Sequence, residues 1–215
     1  MTLAEEYIHS AKYPEHFMIV ADVQTHGRGR KADDWLSTLG GLWFNLVLNH
    51  ITTQKSFTLF IGFCVAKALN DLTNNRNFKI KWPNDIYLNE IKVCGIICAQ
   101  FESLHKTSIG IGIDTNNNSA YPSIKQILGL NLNNQDYLNK IVDNIMTDLQ
   151  SFEQFGVDIF SEYYQKHDYL DKKQITVISG NEIINGFYKG INENGGLLLK
   201  INDEEKVIYS GTIRN

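Results

Sequence analysis

The chain has 215 residues, which is room for one substantial domain and a small appendage and too short for three domains. Hydrophobic residues make up 43% and charged residues 20%, and the net charge of −4 excludes the broad basic footprint of a nucleic-acid-binding protein. Three cysteines, an odd number without clustered histidines, argue for reduced thiols and against a disulfide framework.

Met1 to Ser10 carries Glu5 and Glu6 and lacks a basic-then-apolar run, so no signal peptide is expected, and no apolar stretch reaches the roughly 20 residues of a membrane span. A soluble, cytoplasmic protein is the expectation. Leu3 to Ala11 reads as a short amphipathic helix stopped before Pro14. Phe17–Val23 and Leu42–Leu48 have the length and composition of strands. Ser56 is placed to cap a helix running to about Leu72, with Leu59, Phe63, Ala66 and Leu69 on its apolar face. Strands follow at Phe78–Lys81, Asp85–Leu88 and Lys92–Phe101, the last two joined by a tight turn at Asn89-Glu90. Lys106–Thr115 is a further strand, paired with the preceding one across a loop at 103–105. Gln135–Phe155 has helical period, and a second helix is expected over Val157–Lys166. From Gln174 the texture changes to short strands, Ile175–Ile178, Glu182–Ile191, Gly196–Ile201 and Lys206–Ser210, which suggest a small β-barrel beginning near residue 173.

Three segments could carry chemistry. Gly27-Arg28-Gly29-Arg30 follows a strand; the glycines let backbone approach a ligand, and the arginines supply forked donors for carboxylate or phosphate. The spacing is neither that of a dinucleotide fingerprint nor that of a Walker loop, and a basic surface turn is the plain alternative. Residues 31–40 show no periodic pattern and hold Trp35, which fits a mobile lid with an aromatic ring for a base or a hydrophobic loop anchor, the commoner role of a lone tryptophan. In Lys81-Trp82-Pro83-Asn84-Asp85 the proline sets a turn, Asn84 offers an amide, and Asp85 could hold a metal ion on phosphate oxygens. A hairpin at Asn89-Glu90 would return Lys92 to the same cleft. Gly110-Ile111-Gly112-Ile113-Asp114 places alternating glycines in a strand, where either a flat ligand or a closely packed helix would require them.

Taken together, GRGR, KWPND, KVCGI and GIGI in this order resemble the biotin protein ligase family, and the resemblance runs from about residue 3 to the C-terminus. It implies an α+β catalytic domain over 1–172, a mixed β-sheet backed by helices related to the class II aminoacyl-tRNA synthetase core. It also implies an SH3-like β-barrel over 173–215. The implied reaction converts biotin and ATP to biotinyl-5′-AMP and pyrophosphate with Mg²⁺, then moves biotin to a lysine of a biotin carboxyl carrier domain of a carboxylase. By that resemblance Gln24, Gly27, Arg28, Arg30, Lys92, Gly95 and Gly110 hold biotin. Arg30, Trp35, Asn84, Asp85, Gly112 and Asp114 hold ATP or the adenylate, Lys92 and Arg30 are catalytic, and Asp85 takes the metal.

The chain departs from the family pattern in four places. The Ser-Thr-Asn motif ahead of the first helix is represented only by Thr2. Lys31-Ala32-Asp33-Asp34 puts acids in the adenylate loop, where Arg-Gly-Arg is usual. Asp114 replaces a customary asparagine, and its carboxylate would repel phosphate unless protonated, paired or metal-bound. Cys94 lies inside the Lys92–Gly95 segment, a weak pointer to inhibition by thiol reagents. Nothing corresponds to the DNA-binding helix-turn-helix of some bacterial members, so a single-function ligase without a DNA partner is expected, with a homodimer possible. Rival readings are a lipoate or octanoate transferase of the same superfamily and a non-catalytic biotin- or adenylate-binding module.

Overall fold

A computed structural model describes residues 2–10, 13, 15–30 and 33–214, with the side chain of Thr2 excepted. The expectations that fell on Ala11, Pro14, Lys31, Ala32 and the side chain of Thr2 therefore lie outside the described residues. The chain forms two compact units and passes between them three times: residues 1–53 with 90–142, and residues 54–89 with 143–215.

In the first unit, helix α1 (Thr2–His9) precedes strands β1 (Phe17–Ala21) and β2 (Leu42–Leu48). Strands β5 (Ile91–Phe101) and β6 (Lys106–Ile113) complete a sheet in the order β1-β2-β6-β5. Its three ladders are antiparallel. Strand β2 is buried along its whole length, as its near-continuous apolar run demands, whereas β1 alternates as an outer strand does. One face of the sheet is set by register. Trp43 pairs with Gly112 and Gly112 with Gly95; two residues along, Asn45 pairs with Gly110 and Gly110 with Ile97. Because side chains alternate, both rows project from the same face.

Strand β6 ends at Ile113, short of the expected Thr115. Thr115 Oγ1 instead donates to Gly40 O at 2.9 Å. Asn134 Nδ2 donates to the carbonyls of Gly40 and Gly41, at 3.1 Å each. Helix α3 (Ile124–Leu128) was not anticipated. A capping box of Ser123 and Gln126 opens it and Gly129 in the left-handed conformation closes it. That Ser-x-x-Gln pattern was its only sequence signal.

In the second unit, α2 (Phe57–Thr73) is buried on most of its circumference, and its N-terminal residue Phe57 follows Ser56. Ser56 takes the capping position, but its hydroxyl makes no capping bond. The Asn70 amide ties α2 to β3 (Phe78–Lys81), donating to Phe78 O and accepting from Phe78 N. Strand β4 (Asp85–Leu88) pairs antiparallel with β3, and beyond it Asn89 turns the chain at φ 56°. Helix α4 (Asn134–Phe155) contributes Phe152, stacked on Phe60 at 4.4 Å between centroids. The helix expected over 157–166 is broken: a 3₁₀ turn at Gly156–Ile159 precedes α5 (Ser161–Lys166), with Gly156 at φ 58°. Ile80 and Asp168 form a parallel bridge.

The last third of the chain forms β7 (Gln174–Ser179), β8 (Glu182–Ile191), β9 (Leu197–Ile201), β10 (Glu204–Ile208) and β11 (Thr212–Arg214). Their order is β10-β9-β8-β7-β11, antiparallel throughout. The expected small β-barrel is seen as this five-stranded antiparallel sheet, and among the described residues no ladder joins β10 to β11. The extra strand β11 was missed because three residues beside Gly211 carry too little pattern to read. Trp82 Nε1 donates to Gly195 O at 3.0 Å, pinning the turn before β4 to the loop between β8 and β9.

Candidate functional site

The segment after β1 folds back on itself. Gln24 N donates to Ser37 O, Trp35 N to Gly27 O at 3.0 Å, and Gly29 N to Asp33 O at 2.6 Å. Bridges Gln24–Ser37 and Arg28–Asp34 result. Residues 33–37, expected to lack secondary structure, therefore form the return half of a narrow ladder. Gly27 is required there, since a Cβ would stand 2.2 Å from Trp35 O and 3.0 Å from both Gln24 Oε1 and Ser37 Oγ. Gln24 is itself held: Ser37 Oγ donates to its Oε1 at 2.6 Å. Arg28 is exposed and Arg30 half-buried.

The ladder delivers Trp35 onto the glycine row of the sheet. A Cβ on Gly112 would lie 2.6 Å from the indole Nε1, and one on Gly95 would lie 3.1 Å from Cζ3. The ring also meets Trp43 edge-on, with centroids 6.3 Å apart. Lys92 Nζ sits 5.2 Å from the Trp35 ring centroid, within cation–π range. Gly112 and Gly95 thus make room for a flat ring, here the protein's own indole. Its Nε1 is buried and finds no acceptor among the described residues.

Asp114 lies just past the end of β6, 7% exposed, and accepts a 2.7 Å hydrogen bond from Asn117 Nδ2. Burial pushes its carboxyl up to about 6, against the pull of that hydrogen bond and of the Lys92 ammonium. The acid at this position is therefore hydrogen-bonded to a neutral amide. Sequence reasoning did not find Asn117, which is fully buried; it stands in the polar run 116–119 with no motif around it. Asp33 and Asp34 are exposed.

The sheet and ladder of the first unit bring together Gln24, Gly27, Trp35, Lys92, Gly95, Gly112 and Asp114. Gly110 lies on the same face, half-buried, one row further along. Asn84 and Asp85 belong to the second unit, where Asn84 is 8% exposed and Asp85 opens β4. The peptide between Trp82 and Pro83 in that turn is cis. Lys81, the first residue of the same motif, places Nζ over the rings of Tyr87 and Tyr169. Cys94 is fully buried, so the expected exposure to thiol reagents is not met. Among the described residues no three His, Cys, Asp or Glu side chains gather as a metal cluster. One carboxylate beside one amide nevertheless fits Mg²⁺, which is commonly held by one or two carboxylates and the phosphates that it accompanies.

Residues 173–214 match the biotin protein ligase C-terminal domain. The bifunctional ligase/repressor BirA of Bacillus subtilis is 31% identical over 223 residues, covering 93% of this chain and 66% of that protein. That of Escherichia coli K12 is 28% identical, covering 84% of this chain and 60% of that protein. The chain therefore spans less than two thirds of these relatives. The biotin protein ligase of Aquifex aeolicus, solved in complex with biotin and ATP, superposes with a TM-score of 0.86 at 28% identity, covering 98% of this chain and 92% of that one. No helix among the described residues is long and apolar enough to cross a membrane. Residues 1–116, more than half of the chain, match the biotin/lipoate A/B protein ligase family, and the chain belongs to that family.

Proposed function

We propose that this chain activates biotin with ATP and transfers the biotinyl group to a lysine of a biotin carboxyl carrier domain. The observation that carries the reading is the Trp35 indole seated on Gly95 and Gly112 beneath the Lys92 ammonium. A side-chain-free patch of sheet that accepts a flat ring, with a cation beside it, suits an acyl adenylate, which is flat at the base and anionic at the phosphate. The similarity to a ligase solved with biotin and ATP supports the same substrates.

In the first step a carboxylate oxygen of biotin attacks the α-phosphorus of ATP. The new P–O bond forms as the bond to the bridging oxygen breaks, and pyrophosphate leaves. Negative charge gathers on the phosphoryl oxygens, and Lys92 and Arg30 are assigned to stabilise it, because cations already oriented lower the barrier without reorganisation. Gln24, Gly27, Arg28, Gly95 and Gly110 are assigned to biotin, and Trp35, Gly112 and Asp114 to the nucleotide. Asn84 and Asp85 are assigned to the phosphates and to Mg²⁺, which supplies charge neutralisation when bound. In the second step the neutral amine of the carrier lysine attacks the acyl carbon and AMP leaves. The ladder carrying Trp35 would exclude water that otherwise hydrolyses the mixed anhydride. Residues 1–172 are assigned to these steps and 173–215 to a separate C-terminal domain.

Exchange of labelled pyrophosphate into ATP tests the reading. Exchange with biotin and none with lipoate or octanoate is expected. Exchange with lipoate or octanoate alone assigns the chain to the sister transferases, and binding of biotin without exchange makes it a binding module.

A further inference from the structure

Asn45 is a polar residue in the middle of an apolar strand, Leu42–Leu48, and nothing in the steps above uses it. It is 6% exposed. Ser108 Oγ donates to its Oδ1 at 3.1 Å, and Ser108 is fully buried, so the amide is fixed in orientation. Its Nδ2 is buried and finds no acceptor among the described residues. A buried amide donor left without a partner is costly, and a Leu would fill the same volume without that cost. Among the described residues nothing accepts from this amide, which leaves its donor available to a ligand.

Register says where that acceptor would come from. Asn45 projects from the face that carries Gly95, Gly112 and the Trp35 ring, and directly opposite it stands Gly110, which contributes no side chain. Ile19 faces it from β1, and Ile97 ends its row on β5. From Gly95 to Asn45 is two strands across and one pleat repeat along, about 12 Å from standard sheet spacings. An extended valerate chain bearing a fused bicycle covers such a diagonal, with its carboxylate at the Lys92 end. The far end of that ligand carries one strong acceptor, the ureido carbonyl.

We infer that Asn45, held by Ser108, is a substrate-binding residue that donates a hydrogen bond from Nδ2 to the ureido carbonyl oxygen of biotin and thereby selects for the oxo group. The inference rests on the proposed ligase reading.

The probe pair is biotin and 2-iminobiotin near neutral pH, where the imino analogue is a protonated guanidinium and offers donors only. Binding is measured by calorimetry and the first half-reaction by pyrophosphate exchange, with thermal melting as the fold control. For Asn45→Leu the Kd of biotin should rise on the order of 10- to 100-fold while that of 2-iminobiotin changes little. Asn45→Asp, which presents an acceptor, should shrink the preference for biotin over 2-iminobiotin at least about tenfold. Asn45→Ser keeps a donor and should fall between parent and Leu, so a general packing defect is recognisable. Equal losses for both ligands, or unchanged biotin binding in a folded Leu variant, overturn the assignment. A parent protein that gives no biotin-dependent exchange overturns the ligase reading with it.

Discussion

Gly112→Ala is the sharpest perturbation of the site. The added methyl would lie 2.6 Å from Trp35 Nε1, 2.9 Å from Cε2 and 3.1 Å from Cζ2. Non-bonded heavy atoms settle at about 3.5–4.0 Å, so the indole must retreat by about 1 Å. Strand β6 beneath it is fixed by antiparallel ladders on either side, and the ring rather than the sheet has to move. Retreat loosens the contacts with Gly95, Trp43 and Lys92 together. Overpacking of this kind costs about 1–3 kcal/mol. If that cost falls on the seated state of the ladder, a middle value of about 2 kcal/mol raises its open fraction roughly thirtyfold. Trypsin reads this directly, because Arg28 and Arg30 lie in the ladder and cleavage of a transiently opened segment tracks its open population. Cleavage after these arginines should accelerate about thirtyfold in Gly112→Ala, with little change in the melting temperature. In a Trp35→Ala background the same substitution should add almost nothing, since the clash has been removed. Unchanged cleavage in Gly112→Ala, or full additivity of the two changes, would refute the seat.

Two further outcomes are expected. Lys92→Ala should melt as the parent does and lose adenylate formation by about 10²–10³-fold, the usual scale for one electrostatic contact to a transition state; near-parental pyrophosphate exchange would overturn the assignment. Asp168 accepts hydrogen bonds from Tyr188 Oη at 2.7 Å and Leu170 N at 2.8 Å, yet is 6% exposed, and burial raises its carboxyl from 3.8 to about 6. A raised carboxyl contributes stability that is present below 3.8 and lost as pH rises through about 6, a change of about 3 kcal/mol. Asp168→Asn removes that loss, so its urea midpoint should gain on the parent's between pH 5 and pH 8, and an equal difference at both pH values would contradict the assignment.

The strands were legible wherever one local pattern decided them. Leu42–Leu48, Phe78–Lys81, Asp85–Leu88 and Glu182–Ile191 stand where apolar runs and turn residues put them. The glycines of Gly110-Ile111-Gly112 asked for a close neighbour, and Gly112 meets one in the Trp35 ring; that Trp35, Lys92 and Gly95 belong with it came from the family resemblance alone. The chain by itself could not say whether that neighbour is a ligand, a helix or its own indole, nor that residues 33–37 pair back on the GRGR segment. Both depend on backbone hydrogen bonds between residues whose side chains carry no periodic signal. The same is true of Asn45. In the sequence it is one polar residue in an apolar run, unremarked until register sets it opposite Gly110 and on the face of Gly112. For Asp114 the sequence left protonation, pairing and metal binding open, and it could not show the buried Asn117 amide that donates to the carboxylate at 2.7 Å. Sequence fixes which side chains a segment can offer, and only the assembled sheet fixes which of them share a face.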